Sequence, residues 1–408
     1  MPFPAFLPEG SKLAVKKRFS FGTVLSLMTL TAAVTFVITL SMSRKAFNEK
    51  VTEVDRLAEK YDRLDELDAV VRGNFYRDVP EEDVLDGILA GYVAGLGDRY
   101  SAYRSARELT AYEDSNAGIY TGIGITITPN ADGDIEIVDV TEGGSAEKAG
   151  IKPGDLLIEV EGISVKTSYG EAIGLINGDP GTTVTLRIQE HESGKQKKLT
   201  LKRIQLDEIT VTSEMLSHHI GYIRISKFRS VTVQQFENAR QQLLKEGASG
   251  FIFDVRQNGG GVLAALEQLA DPLLPEGELA FSTDKDGNTS TIIRSDANCA
   301  EMPYAVLIDG NTASASELFA CLLRDYSGAV LVGEKSFGKG IMQSTISLSS
   351  GGVTLTTATY QTGKTPCYHE VGLEPDILCV ADPEAETDEQ LAAAVDAVYE
   401  KIKADRAA

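Results

Sequence analysis

The sequence predicts a multidomain α/β protein with a transmembrane helix near its N-terminus and a β module ahead of a larger α/β domain. The 408 residues exceed one ordinary domain core. An uncharged apolar stretch lies near the N-terminus, and near residue 206 the pattern changes from short strands to alternating strands and helices. We predict six regions: a cytoplasmic N-terminus (1–18), a transmembrane anchor (19–43), a helical stalk or cap (44–114), a β module (115–205), an α/β domain (206–382) and a C-terminal helix (383–408).

The composition is that of a folded protein without a nucleic-acid partner. Hydrophobic residues make up 42% and charged residues 24% of the chain, as in globular proteins. The net charge of -21 argues against phosphate binding, which needs clustered lysine and arginine. The cysteines lack zinc-site spacing, so we expect structural thiols and no metal or other cofactor, with one or two disulfides as an alternative outside the cytoplasm. They are Cys299, Cys321, Cys367 and Cys379.

The apolar stretch is long enough to span a bilayer. No residue from Phe19 to Ser43 is charged, and a helix of this length extends roughly 37 Å against a hydrocarbon core of about 30 Å. Basic residues are in slight excess before it, so the positive-inside rule places the N-terminus in the cytoplasm and the bulk outside it. A cleaved signal peptide is the alternative, although its apolar region is normally about 7 to 15 residues. We predict a single-pass membrane protein.

Helices are expected from about Ala46 to Leu109, where apolar residues recur at spacings of three and four. We expect them to pack as a stalk or cap, with a homodimer through these helices as a further possibility, and we expect no catalytic role.

The next segment has the pattern of a compact β module. Turn signals at Pro153-Gly154-Asp155 and Asp179-Pro180-Gly181 separate short alternating runs. We predict a short helix at 168–176 and strands at 124–128, 135–140, 157–160, 183–189 and 198–204.

Beyond residue 206, strands and helices alternate, which predicts a sheet covered by helices. Strands are expected at 220–225, 250–255 and 304–308, and helices at 232–246 and 262–269. Three unusual segments border these strands, at positions where rigid scaffolds commonly hold active-site groups. They are 254–261, 311–317 and 333–340.

The second segment contains a candidate nucleophile. A helix beginning near Ser316 would put Ser314 at its N-terminus, with an accessible hydroxyl and outward-pointing backbone N–H groups. Helix capping is the commoner role of such a sequence taken alone. The glycines at 259–261 could likewise donate backbone N–H groups to a carbonyl oxygen or form a plain turn, and no phosphate-loop pattern occurs there.

Two residues could act as the base for this serine. His191 falls in the β module, and the adjacent His218 and His219 would face opposite sides of a strand, which leaves His369 among the histidines. Lys339 lies between two glycines, and a desolvated lysine can lose its proton near neutral pH.

These motifs resemble those of the C-terminal processing peptidases, also called tail-specific proteases, over roughly residues 98–377. The matching segments, in the family's order and spacing, are 221–225, 254–261, 312–317, 333–340 and 372–376. The resemblance implies that Ser314 is the nucleophile, Lys339 the base and Gln343 the residue that orients the lysine. It also implies oxyanion donation by the backbone N–H groups of Gly260 and Ala315.

The same resemblance implies a peptidase core of the crotonase or Clp protease type and a place in the bacterial cell envelope. Asp325 matches a family aspartate, but it lies 11 residues along one helix from Ser314, roughly 16 Å away, so we interpret it as structural. Ser316 is interpreted as a helix cap. Gly259 replaces the family's usual proline, and Gln361 to Tyr368 departs from the family pattern.

The β module resembles a PDZ domain. Gly122, Ile123, Gly124 and Ile125 lie where the resemblance places the carboxylate-binding loop. Such a loop holds a peptide C-terminus while the peptide adds to the sheet as a strand. The alternative is a PDZ fold that only spaces the domains.

Together these features predict a serine endopeptidase whose partners are proteins or peptides with exposed C-termini, cleaved near those ends through an acyl-enzyme. The alternative is an inactive membrane-anchored PDZ scaffold that binds protein tails.

Overall fold

The computed structural model describes residues 20–130, 133–296, 299, 302–382, 384–385 and 387–407. The predicted cytoplasmic segment 1–18 lies outside these residues, as does Phe19 of the predicted anchor. Contacts divide the chain into two units, Met1–Val84 and Leu85–Ala408.

The first unit consists mainly of one long helix, α1 (Phe21–Asn74). Its N-cap is Ser20, whose hydroxyl accepts a hydrogen bond from the Thr23 N–H at 3.2 Å. The part from Phe21 to Asn48 has a mean hydropathy of 2.0 and is exposed. Within the described chain it is the one helix that is long and apolar enough to cross a membrane.

The second unit begins inside helix α2 (Glu81–Ala94) and continues through strand β1 (Ala102–Arg104) to helix α3 (Ala106–Ala117). The prediction of helices from about Ala46 to Leu109 is wrong at Ala102–Arg104, which form strand β1. The buried Tyr103 holds this strand in place, because its hydroxyl donates to Asp86 Oδ1 at 2.7 Å.

The β module has an antiparallel sheet of order β3-β4-β5-β7-β8, with β6 beside β5, and a separate pair formed by β2 and β9. Its core contains fully buried aliphatic side chains such as Ile137, Val160 and Leu186. The elements are β2 (Ile119–Gly122), β3 (Ile125–Pro129), β4 (Ile135–Val140), α4 (Ser145–Lys148), β5 (Leu156–Val160), β6 (Ile163–Ser164), α5 (Tyr169–Gly174), β7 (Thr183–Gln189), β8 (Gln196–Lys202) and β9 (Ile204–Asp207).

The α/β domain has two sheets. The larger has the order β10-β11-β12-β15-β16-β19 and is parallel except for the first pair. The elements are β10 (Val211–Leu216), β11 (Ile220–Ile225), α6 (Ser230–Lys245), β12 (Gly250–Asp254), α7 (Leu263–Ala270), β13 (Gly277–Asp284), β14 (Thr289–Ser295), β15 (Tyr304–Ile308), α8 (Ala315–Ser327), β16 (Val330–Gly333), β17 (Ile341–Ser347), β18 (Gly352–Thr362), β19 (Ile377–Leu378) and α9 (Glu389–Ala407).

Helices cover both faces of the larger sheet, as its continuous apolar strands require. On one face Phe253 packs with Phe236 of α6 and Phe319 of α8. On the other face Ile252 joins the cluster that contains Val398 of α9. Successive residues of β12 therefore serve opposite cores, and all five are buried. The predicted multidomain α/β architecture is confirmed.

The smaller sheet is antiparallel and has the order β1-β18-β13-β14, with β17 beside β18. The loops after β12, β15 and β16 leave the same edge of the larger sheet, because these strands are parallel. The third loop then enters β17 and so joins the two sheets. All three unusual segments of the sequence therefore lie at one place.

A buried ion network fastens α9 to the end of β12. Asp254 is fully buried, and Arg256 donates to it at 2.6 and 3.0 Å. The same guanidinium donates to Asp388 at 2.7 and 3.0 Å and to Gln390 at 2.8 Å. Because α9 covers one face of the larger sheet, this arginine couples the sheet to its cover.

We expect Arg256→Ala to lower the free energy of unfolding by about 3–5 kcal/mol, since it removes the nearer countercharge of the buried Asp254 carboxylate and leaves only Arg224, at 3.4 Å. The control is Arg294→Ala, which removes an exposed pair with Glu278 and costs about 0–1 kcal/mol. Urea denaturation of the full chain, followed by circular dichroism, measures both. Equal midpoints for the two variants would contradict a stabilising network.

Candidate active site

Ser314 lies in a strained turn between β15 and α8. It is the N-cap of α8 and has φ 58° and ψ -121°, a conformation that non-glycine residues rarely adopt. Its N–H donates to Glu317 Oε2 at 2.9 Å, and its carbonyl accepts from Leu318 at 3.0 Å. These bonds hold the turn, and the half-buried Ser314 lines a cleft.

The glycine loop packs directly against this turn. A Cβ atom added to Gly260 would lie 2.9 Å from both the Ala315 nitrogen and Ser314 Cβ, so a side chain at this position would collide with the turn. Asp309 joins the two loops, because its carboxylate accepts from the N–H groups of Gln257 and Thr312. The close approach explains the glycine at position 260.

The two predicted oxyanion donors differ in whether their N–H group already donates a hydrogen bond. The Gly260 N–H donates to Asn258 Oδ1 at 2.9 Å, so this donor is occupied in the present conformation. The Ala315 N–H is the first of helix α8, and no described residue accepts a hydrogen bond from it. A Cβ added to Gly259 would meet nothing within 4 Å, so the space beside the loop could hold a proline ring.

The loop with Lys339 is fastened to the serine turn by one carboxylate. Glu317 is fully buried. Its Oε1 accepts from Ser336 Oγ at 2.6 Å and from the Gly338 N–H at 2.7 Å, and its Oε2 accepts from the Lys339 N–H at 2.8 Å. Since Oε2 also accepts from the Ser314 N–H, one side chain fixes the backbone of both predicted catalytic residues.

The amine of Lys339 is half-buried and lies 4.4 Å from the centroid of the Tyr100 ring. Burial lowers its pKa below the ordinary lysine value, and the nearby Arg99 guanidinium lowers it further, while Asp98 and Glu317 oppose this. Among the described residues, no hydrogen bond or ion pair joins Lys339 Nζ to another side chain. In this conformation the amine is therefore not bonded to Ser314 Oγ.

Gln343, at a bulge in β17, likewise does not contact the lysine amine. Its Nε2 donates to Thr356 Oγ1 at 3.2 Å, and Thr356 Oγ1 donates to Asp98 Oδ2 at 2.6 Å. The predicted orienting residue thus belongs to a chain of hydrogen bonds that ends at Asp98.

A cleft of about 230 Å³ brings Ser314, Ala315 and Gln343 together. Tyr360 also lines it and donates to the Lys339 carbonyl oxygen at 2.7 Å. Tyr360 is buried, and this burial raises the pKa of its hydroxyl. The cleft thus contains the predicted nucleophile, while Lys339 does not line it in this conformation.

Comparisons with known proteins identify the family of this chain. The model of peptidase family S41 matches residues 219–379, and a PDZ domain model matches residues 136–190. The chain is 32% identical to carboxy-terminal processing protease CtpA of Bacillus subtilis, over 78% of this chain and 68% of the relative. It is 33% identical to a carboxyl-terminal-processing protease of Synechocystis, over 69% of each chain. The chain belongs to the carboxy-terminal processing proteases of peptidase family S41. The predicted serine-type peptidase and the family resemblance are confirmed.

The alternative candidate base of this S41 peptidase is His369. Among the described residues, no hydrogen bond links His369 to Ser314, and its buried Nδ1 has no partner. The prediction that His218 and His219 face opposite sides of a strand is wrong. Both lie in a turn before β11, with φ near 60°, and His218 stacks on Tyr399.

Asp325 lies near the far end of α8, where its carboxylate accepts from Thr362 and Thr365. The prediction that Ser316 is a helix cap is wrong, because α8 begins at Ala315 and its N-cap is Ser314. The buried hydroxyl of Ser316 has no hydrogen-bond partner among the described residues. The cysteines are free thiols, and burial raises the pKa of Cys321 to about 12.

The predicted carboxylate-binding loop connects β2 to β3. Gly122 ends β2 and Ile125 begins β3, while Ile123 is buried and Gly124 has φ 81°. Within the described part of the chain, the N–H groups of Ile123 and Gly124 have no hydrogen-bond acceptor. Among the described strands, β3 pairs only with β4, so one edge of it is open.

Sequence reasoning missed Glu317 as a positioning residue, although its place three residues after Ser314 signals a capping-box position. We expect Glu317→Ala to reduce peptide hydrolysis by about a hundredfold or more, because the loops of the predicted nucleophile and base lose their shared hydrogen-bond acceptor. Glu317→Gln should reduce hydrolysis as well. Its amide NH₂ group replaces one carboxylate oxygen and cannot accept hydrogen bonds from the backbone N–H groups.

The matched control for both variants is Glu374→Gln, which changes an exposed carboxylate paired with Lys335. Steady-state hydrolysis and thermal unfolding should be measured together. Full activity in Glu317→Ala would contradict the positioning role.

Proposed function

We propose that this S41 peptidase is an endopeptidase that cleaves proteins near their C-termini with a Ser314–Lys339 pair. The main support is the Glu317 carboxylate, which binds the backbone of both residues. The lowered pKa of Lys339 also favours the neutral amine that a general base needs.

In the proposed reaction, Lys339 Nζ removes the proton from Ser314 Oγ, which attacks the substrate carbonyl carbon. The Ala315 N–H stabilises the oxyanion, and Gly260 joins it if its N–H leaves Asn258. The lysine proton then passes to the leaving amine, and water hydrolyses the acyl-enzyme with Lys339 again as base. The amine must first turn toward Ser314 Oγ, which its flexible four-carbon stem allows.

We expect Ser314→Ala and Lys339→Ala each to reduce cleavage of unfolded, fluorescently labelled casein by about a thousandfold or more. His369→Ala should keep turnover. The assay uses the full chain in detergent micelles from pH 6 to 10. Wild-type turnover should fall as pH drops through the Lys339 pKa, because the protonated amine cannot accept the serine proton.

Three results would contradict the proposed function. Loss of turnover in His369→Ala, with Lys339→Ala still active, would assign the base to the histidine. Turnover unchanged by Ser314→Ala would exclude the serine as nucleophile, and a purified chain that binds tails without cleaving them would favour the scaffold alternative.

We also propose that the PDZ domain binds the C-termini of substrates through Gly122–Ile125. The unpaired N–H groups of Ile123 and Gly124 could hold a terminal carboxylate, and the open edge of β3 could pair with the peptide. Cleavage would then be directed to proteins with exposed chain ends.

This proposal predicts that a free C-terminal carboxylate is required for binding. Fluorescence anisotropy with Ser314→Ala should show at least about tenfold weaker binding of a C-terminally amidated peptide than of the same peptide as free acid, since a charged hydrogen-bond acceptor is lost. The amide is the matched control because it differs only at the terminus. Equal affinities would exclude carboxylate recognition.

We further propose that α1 anchors the enzyme in the cell membrane, with the catalytic domains outside the cytoplasm. The apolar part from Phe21 to Asn48 supports the anchor. An exposed stripe on α2, comprising Leu85, Leu89 and Tyr92, supports a homodimer through the helical regions.

A further inference from the structure

The segment from Asp98 to Tyr100, between α2 and β1, lies against the Lys339 amine. We propose that it is the positioning element of the general base, in which the Tyr100 ring holds the amine and Arg99 opposes its charge. This inference rests on the proposed function of Lys339.

The first observation is the contact between the amine and the ring. Lys339 Nζ lies 4.4 Å from the Tyr100 centroid, within the range of a cation–π interaction. A carboxylate bonded to the amine would keep it protonated. An aromatic face gives the amine a defined position and shields it from water without a full negative charge. Tyr100 therefore suits a lysine that must become neutral.

The second observation is that a second cation, the Arg99 guanidinium, contacts the ring that Lys339 contacts. The Arg99 guanidinium carbon lies 4.6 Å from the Tyr100 centroid and 5.5 Å from that of Phe337, and Arg99 also donates to the Tyr100 hydroxyl. A guanidinium remains charged at every relevant pH, so it opposes protonation of the neighbouring amine. Arg99 thus acts on Lys339 without touching the substrate.

The third observation is the anchoring of this segment. Asp98 accepts from Ser101 Oγ and Thr356 Oγ1, both at 2.6 Å, and from the Tyr100 N–H at 3.1 Å. The hydrogen bonds from Ser101 and Thr356 lower the pKa of Asp98. Because Thr356 belongs to β18 and also accepts from Gln343, the segment is fixed to the sheet beside the cleft.

The charged groups around Lys339 therefore act in opposite directions. Asp98 and Glu317 favour the ammonium, whereas burial and Arg99 favour the neutral amine, and the lowering effects prevail. The Tyr100 hydroxyl faces Arg99. Arg99 is exposed, so salt should screen its contribution.

The test compares Arg99→Gln, Arg99→Lys and the control Arg107→Gln, which removes an equal charge from an exposed position on α3. Casein cleavage by the full chain in detergent micelles is measured from pH 6 to 10, at about 20 mM and about 500 mM salt. Arg99→Gln should move the acidic limb of kcat/KM to higher pH by about half a unit or more at low salt, and by less at high salt. Arg99→Lys should restore the wild-type profile, and Arg107→Gln should leave it unchanged.

A second measurement does not depend on turnover. Competitive labelling with trace acetic anhydride, read by mass spectrometry, gives the titration of Lys339, which Arg99→Gln should move in the same direction. If the full chain cleaves nothing, the proposed function fails, and this titration alone decides the inference. An equal loss of activity at every pH with an unmoved Lys339 titration would overturn the role of Arg99.

The ring is tested by Tyr100→Phe and Tyr100→Leu. Phenylalanine keeps the aromatic face, whereas leucine is apolar but has no aromatic face. We therefore expect kcat to be about tenfold lower in Tyr100→Leu than in Tyr100→Phe, with KM little changed. Equal kcat values for the two variants would overturn the role of the ring.

Discussion

The relative position of Ser314 and Lys339 depends on one buried carboxylate, Glu317. It accepts hydrogen bonds from Ser314, Ser336, Gly338 and Lys339, which lie on two loops. A buried carboxylate without donors would be strongly unfavourable, so the loops and the carboxylate stabilise one another. Neither loop can shift without leaving a charged acceptor under-satisfied. The proposed nucleophile and base are thus held in register by a group that takes no part in the proposed reaction.

The close approach of backbones around this carboxylate explains the glycines near it. A Cβ on Gly338 would lie 2.9 Å from the Gly372 nitrogen, and one on Gly340 would lie 2.8 Å from the His369 nitrogen. Gly260 meets the serine turn in the same way. The glycines therefore let the loop after β12 pack against the serine turn and the loop after β16 pack against the segment before β19. The positive φ of Ser314, by contrast, is strain that the surrounding bonds must hold.

Strands β11, β12 and β15 of the larger sheet and the three unusual loop segments could be predicted from the sequence, because β12 and β15 are continuous apolar runs and distinctive residues follow them and β16. The smaller sheet could not. Strand β18 is rich in threonine and partly exposed, so it lacks a clear apolar pattern, and its pairing with β1 joins residues about 250 positions apart. The resemblance led us to expect contact between Gln343 and Lys339. The structure instead directs Gln343 to Thr356, a partner that no local pattern indicates.

The same long-range pairing bears on how a lysine can serve as base. Lysine has an ordinary pKa near 10.4, so an enzyme must disfavour its ammonium form without losing control of its position. A carboxylate partner fixes the position of the amine but stabilises its ammonium form. Burial alone disfavours the ammonium form but does not fix the position of the amine. Pairing β1 with β18 brings Tyr100 over Lys339, although the two are far apart in the sequence. An aromatic face with a neighbouring guanidinium can meet both requirements, because the ring fixes the amine while the like charge disfavours its protonation.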